Sequence, residues 1–269
     1  MWTEALFQVK KPIIALLHLR ALPGDPLFPP GGSIEQTVSK AGEELEALQA
    51  GGVDGILFAN EFSLPYQHIA PPVTLSAMAY VIGRLKDRIR VPFGVNVVLN
   101  PMASVEMAAA LDANFVRSTF TGAYMGESGI TNTDVAAYVR RRTELGRPDL
   151  KMLYKVNPES DAYLASRDIK KITRSILFHC FPDGLCVSGA SAGSETSTGV
   201  IQEVKSVAGQ TPVFCNTGCT AANVAAMLAE ADGACVGTAF KRDGKFQNYV
   251  EYERVREFMD VVKDFRASL

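Results

Sequence analysis

Two short apolar runs near the C-terminal end, Pro212–Cys215 and Gly233–Val236, each stop at a glycine-containing turn. Asn216-Thr217-Gly218 follows the first and Gly237-Thr238 the second, with Lys241 and Arg242 close behind. Glycine at such a point lets main-chain N–H groups approach an anion, and a helix N-terminus beyond it adds partial positive charge. Thr220 is placed to cap that helix. If the two runs are neighbouring parallel strands, Asn216, Thr217, Gly218, Gly237, Thr238 and Lys241 converge on one negatively charged group, a phosphate being the natural case. If they are not, these are two ordinary tight turns. Gly218→Asp is then expected to abolish phosphate-dependent stabilisation while leaving the fold largely intact.

Other reactive side chains also stand where apolar runs end. His18 closes the run Pro12–Leu17 and precedes a loop rich in Pro and Gly, Arg20 to Gly32, which could serve as a lid. Asn60 and Glu61 follow the second run, Asn96 lies near the end of the third, Arg117 in the fourth and Lys155 near the end of the fifth. Ser188-Gly189 follow the sixth and join the phosphate-binding candidates. His18 and Glu61 are candidate acid and base groups; Arg117 is a bidentate anion clamp; Asn96 and Lys155 orient or polarise. Lys155 could form a Schiff base only if burial lowered its pKa, whereas a salt bridge to Glu61 or a phosphate contact makes no such demand. The bland alternatives are a satisfied structural histidine, a solvated glutamate and, for Arg140–Arg142, a solvated helix face.

Two sharper motifs are missing. The Ser188–Thr198 loop is rich in Gly and Ser but lacks the G-K-[ST] of a nucleotide-binding P-loop. No His pair or carboxylate cluster has metal-ligand spacing, so no metal site and no cofactor are expected, with a Mg²⁺ carried by a substrate's phosphate left open.

The elements that must position these groups alternate along the chain. Strands are expected at 12–17, 53–58, 91–97, 114–118, 150–156, 185–187, 212–215 and 233–236, with a helical pattern in each gap. The first helix opens at Ser33 with Gln36 three residues on, a capping-box spacing. A long Gly/Thr-rich loop is expected at 119–133, and a polar helical stretch at 159–178. Strand starts lie roughly twenty to forty residues apart, room for a crossover helix each time. Eight such units without a break in composition imply an α/β fold, a single (β/α)₈ TIM barrel over residues 1–269 with 1–11 as an N-terminal extension, and a phosphate-binding-type site at strands 7 and 8. An open doubly wound sheet would carry G-x-G-x-x-G after strand 1, where this chain has His-Leu-Arg-Ala-Leu-Pro-Gly.

Composition agrees. The 269 residues are 47% hydrophobic and 21% charged, with a net charge of −2 and no basic block, so a nucleic-acid partner is not expected. The apolar runs are too short for a bilayer, and the first residues lack the apolar core of a secretory signal. Five cysteines without a C-x-x-C pair read as reduced thiols in a cytoplasmic protein. A homo-oligomer is left open.

The segments His18-Leu-Arg-Ala-Leu-Pro-Gly-Asp-Pro26, Gly51-Gly-Val-Asp54, Asn60-Glu-Phe-Ser-Leu-Pro-Tyr66, Gly94-Val-Asn96, Phe120-Thr-Gly-Ala-Tyr124, Cys186-Val-Ser-Gly189, Asp232-Gly233 and Phe240-Lys-Arg-Asp-Gly244 together resemble the BtpA/SgcQ family, its SgcQ branch in particular. The resemblance runs from about Pro12 to Met259. It implies a TIM-like barrel. For function it implies either the photosystem I biogenesis of the BtpA branch, or the carbohydrate gene cluster and nucleoside-triphosphatase label of the SgcQ branch. The chain departs from the BtpA pattern where acids are usual after strands 2 and 3: Ala59, Ser63 and Pro101 stand there instead. Taken with the residues, this leads to an expected enzyme on a phosphorylated sugar or similar small metabolite. The alternatives are a phosphate-ester or nucleoside-triphosphate hydrolase and a non-catalytic assembly protein.

Overall fold

The computed structural model describes residues 1–189 and 194–269. Residues 190–193, in the middle of the Gly/Ser-rich loop that begins at Ser188, lie outside the described residues. Eight parallel strands close into a barrel: β1 (Ile13–His18), β2 (Gly55–Ala59), β3 (Phe93–Asn96), β4 (Phe115–Ser118), β5 (Lys151–Asn157), β6 (Gly184–Val187), β7 (Val213–Cys215) and β8 (Gly233–Val236). Each pairs with its neighbours in sequence, and β8 closes on β1 with Ile13 opposite Ala234 and Ala15 opposite Val236. The strands are continuously apolar because both faces are covered: helices outside, packed side chains within.

Alternation along each strand does the positioning. Ile14, Leu16, Leu57, Phe115, Leu153, Cys186, Phe214 and Cys235 form the interior cluster, separate from the larger layer between strands and helices. The interior is crowded, and a side chain on Gly94 would sit 2.4 Å from the Phe115 ring. A strand repeats every two residues, so the next inward positions are His18, Arg117, Lys155, Ser188, Asn216 and Gly237. The residue types singled out above are therefore the top layer of the barrel.

The opposite end is closed. The helix Trp2–Phe7 puts Phe7 against Phe115 in an edge-on contact with ring centroids 5.9 Å apart, and Trp2 donates its indole N–H to Asp183 O at 2.7 Å. At this end the residue just before every second strand accepts a main-chain N–H of the preceding strand. Asp54 takes Ile13 N (2.7 Å), Asn114 takes Phe93 N (3.0 Å), Asp183 takes Met152 N (3.0 Å) and Asp232 takes Val213 N (2.8 Å). These bonds satisfy strand-end donors that no neighbouring strand reaches. The Gly51–Asp54 and Asp232-Gly233 motifs thus belong to the floor of the barrel, not to its mouth.

Ser33 caps the helix Ile34–Ala50 with the reciprocal Gln36 bond that the spacing predicts. Four expectations are corrected. The 119–133 loop contains an antiparallel hairpin, Ala123–Gly126 with Gly129–Asn132, to which Ala162–Tyr163 adds a third strand. Buried Tyr124 packing edge-on against Tyr163, 5.1 Å between rings, anchors it. The polar helical stretch starts only at Ile169, capped by Asp168, because Ser160 is left-handed (φ 71°) and the chain after it runs extended. The helix after β7 starts at Val224 behind Asn223, one turn beyond Thr220. The Arg140–Arg142 run is not wholly solvated: Arg142 is largely buried and pairs with Asp183 at 2.7 Å.

Candidate functional site at the barrel mouth

A cavity of about 490 Å³ opens at the C-terminal ends of the strands. His18, Glu61 and Arg117 line it, together with Asn216, Thr217 and Gly218 from the β7 turn and Gly237 and Thr238 from the β8 turn. Among the described residues, no protein acceptor takes the main-chain N–H of Thr217, Gly218 or Cys219 on one turn, or of Thr238 or Ala239 on the other. The helix beyond β7 has only seven residues and begins well past the turn, so the expected helix-end charge is not a feature of this site.

Arg117 is the cation of the cavity. It is 2% exposed; Nη1 donates to Asn216 Oδ1 at 2.9 Å, and Nη2 lies 4.0 Å from Glu61 Oε1. Asn216 passes the chain on, donating Nδ2 to Ser188 Oγ (2.9 Å), which donates to Glu159 Oε2 (3.0 Å); Lys155 Nζ donates to the other Glu159 oxygen at 3.0 Å. Glu61 is held from its other side by the Tyr66 hydroxyl, 2.9 Å from Oε2. Burial and the nearby Lys241, Arg117 and Arg20 cations hold the His18 imidazole well below its ordinary value, so the ring is neutral.

Five candidate residues do not line the cavity. Asn96 is buried on β3. Lys155 pairs with Glu159 and not with Glu61. Ser188 acts through Asn216 and Glu159, and the Gly189 N–H is spent on Thr217 Oγ1 at 2.6 Å. Lys241 turns away from both glycine turns: its ammonium donates to Phe246 O (2.7 Å) and lies beside the stacked Phe62 and Phe246 rings, 4.9 and 4.7 Å from their centroids. Burial, assisted by Arg20, lowers it to about 8. The glycine turns also differ from expectation. Gly218 is left-handed (φ 71°), and a Cβ there would lie 2.3 Å from Glu195 Cα, so Gly218→Asp would displace the neighbouring loop as well as any ligand. That substitution cannot separate binding from folding.

Glu159, Tyr66 and Phe246 line the cavity without having been singled out from the sequence. Burial alone would raise the Glu159 carboxyl, but Lys155 and Arg117 outweigh it and hold the group at about 2. Its ionised state therefore contributes stability that is whole above the ordinary carboxyl value near 4.5 and drains away as pH falls towards 2, on the order of 3 kcal/mol. Glu159→Gln is expected to flatten the stability curve in that window. The loss due to His18, which begins as pH falls below about 6.5, should persist in the variant. Urea unfolding as a function of pH checks this; an unaltered acid limb would rule it out.

Among the described residues, no helix is long and apolar enough to cross a membrane. The BtpA family model matches residues 9–264. The chain is 43% identical to the sgc region protein SgcQ of Escherichia coli K12, covering 98% of this chain and 99% of that one. It is 28% identical to the photosystem I biogenesis protein BtpA of Synechocystis, covering 96% and 90%. Among solved structures, (S)-3-O-geranylgeranylglyceryl phosphate synthase of Thermoplasma acidophilum, in complex with its substrate sn-glycerol-1-phosphate, superposes with a TM-score of 0.60 at 16% identity. It covers 97% of each chain, a likeness of fold. By the extent of these matches, the chain belongs to the BtpA family.

Proposed function

We propose that this protein is an enzyme acting on a phosphorylated sugar or a related small metabolite by acid–base chemistry of the isomerase, aldolase or lyase type. One observation carries the reading: two turns whose amides have no acceptor among the described residues share a single cavity with a neutral histidine, a carboxylate and a buried arginine. The amides of the β7 and β8 turns would hold the phosphate, as such loops commonly do in this fold. Arg117, locked by Asn216, fixes an anionic or carbonyl oxygen; His18 and Glu61 serve the reacting carbon or hydroxyl. The synthase that shares the fold holds a glycerol phosphate. The charge balance favours one phosphate over three: Arg117 is countered by Glu61 and Glu159 along the wall, a poor host for a nucleoside triphosphate.

A thermal-shift panel of inorganic phosphate, glycerol 1-phosphate, ribose 5-phosphate and ATP with Mg²⁺ tests this. A cognate ligand at ~100 times its Kd stabilises by about 2.7 kcal/mol, a clear shift. The expected responders are the two organic monophosphates. A response confined to ATP with Mg²⁺ would favour hydrolysis of triphosphates, and silence throughout would favour a non-catalytic assembly role.

A further inference from the structure

We propose that His18 serves this cavity as a neutral hydrogen-bond donor through Nε2, polarising an oxygen of the ligand, and that proton abstraction falls to Glu61. The inference rests on the reading above for the ligand's class, but its structural half stands without it.

The ring's two nitrogens have different surroundings. Nδ1 is sealed from solvent with no hydrogen-bond partner. Nε2 and Cε1 form the edge beside Gly237, where a Cβ would lie 2.9 Å from each, so glycine alone lets this edge approach the β8 turn. Both residues line the cavity, and Nε2, unlike Nδ1, is not a sealed unpartnered atom. Phe246 closes one face, with ring centroids 5.4 Å apart. The charged groups acting on the ring are Lys241, Arg117 and Arg20.

A neutral imidazole has one N–H and one lone pair to distribute. A proton on Nδ1 would bury a donor without an acceptor. A proton on Nε2 leaves a bare lone pair in the sealed position, which is the more tolerable orphan. An imidazolium would add a fourth positive charge to a buried site. The tautomer that satisfies these constraints presents N–H to the ligand and keeps its only basic lone pair out of reach. Such a group polarises a carbonyl or phosphoryl oxygen without exchanging a proton with it.

The base must then be another group on the same wall. Glu61 fits: Tyr66 takes Oε2, while Oε1, 4.0 Å from Arg117, remains to accept a proton. The proton leaves the substrate carbon or hydroxyl for Glu61, and the charge developing on the substrate oxygen is met by His18 Nε2–H and Arg117.

The chain has only three histidines, His18, His68 and His179, so two-bond ¹H–¹⁵N correlation spectra of histidine-labelled protein resolve the question, with His18 assigned from the His18→Gln spectrum. From pH ~5.5 to ~8.5 the His18 signals are expected to show a protonated Nε2 and a bare Nδ1 throughout. A proton on Nδ1, or an imidazolium pattern within that range, overturns the proposal. These spectra need no ligand, so their outcome is independent of the thermal-shift panel. A second arm uses ribose 5-phosphate: His18→Gln, whose amide keeps a donor, should bind within a few-fold of the parent, and His18→Leu about tenfold more weakly. Equal weakening in both variants would count against the donor role. If the parent ignores ribose 5-phosphate but binds glycerol 1-phosphate, the arm is run with the latter; if it ignores both, the phosphate reading fails and the spectra alone decide the tautomer.

Discussion

Arg117→Met is expected to destabilise the protein by about 3–5 kcal/mol, the cost of breaking a buried ion network by removing one partner. Arg117 is 2% exposed and is the only cation among the described residues that line the cavity, facing Glu61 at 4.0 Å and acting on Glu159 through the Asn216–Ser188 chain. Methionine fills most of the stem's volume, so packing changes little and the loss reports on charge. Without the guanidinium, Glu159 keeps only Lys155, and Asn216 Oδ1 loses its donor. The double variant Arg117→Met/Glu159→Gln should regain about 1–3 kcal/mol of that loss, the coupling expected for groups in one network. Urea unfolding of the four proteins in the cycle measures both figures. A single-variant loss under about 1 kcal/mol, or strict additivity, would show that the network contributes little.

Phe7→Ala should cost a comparable amount, about 3–5 kcal/mol, for a different reason. Phe7 is buried under the interior layer against Phe115, in space left by Gly55, where a Cβ would approach the Phe7 ring to 2.7 Å. Truncation opens a void that the rigid strand ends around it cannot collapse to fill. Trp2 is the chain's one tryptophan and lies 6.3 Å from Phe7, so its fluorescence should report loosening of the floor directly. Any phosphate-dependent stabilisation should survive, because the interior layer separates this end from the mouth. A loss of ligand response with unchanged stability would invert the expectation.

The barrel was legible because its signal is redundant. Eight apolar runs, each with a crossover helix, allow few other folds, and all eight strands lie within about two residues of the expected spans. The inward residues of the mouth were legible for the same reason. His18 stands two beyond Leu16, Arg117 two beyond Phe115 and Asn216 two beyond Phe214, so alternation fixes their direction once the strands are known. What was not legible came from excursions with no periodic pattern. Glu159 reads as the start of a helix, but Ser160 turns left-handed and the carboxylate folds back onto Lys155 and Ser188. On paper Lys155 had Glu61 or a phosphate to meet, and tertiary structure gives it Glu159 instead. Lys241 misled in another way: charge near a glycine turn suggests a phosphate grip, whereas two phenylalanines and one carbonyl capture its ammonium. Some of the most recognisable shared motifs, Gly51–Asp54 and Asp232-Gly233, turn out to tie strand ends together on the far side.

The Phe7 stopper has a kinetic side as well. Among the described residues, a well with a plugged base opens at its mouth, so arriving and departing molecules, and the water they displace, share that doorway. Phe246 on its wall is backed by the stacked Phe62 ring, and Arg20 lies against Phe62 and Tyr249 at 4.4 and 3.9 Å while donating to Gln247 O at 2.8 Å. Loosening Arg20 would therefore slacken the wall beside that doorway and also weaken the positive field on His18.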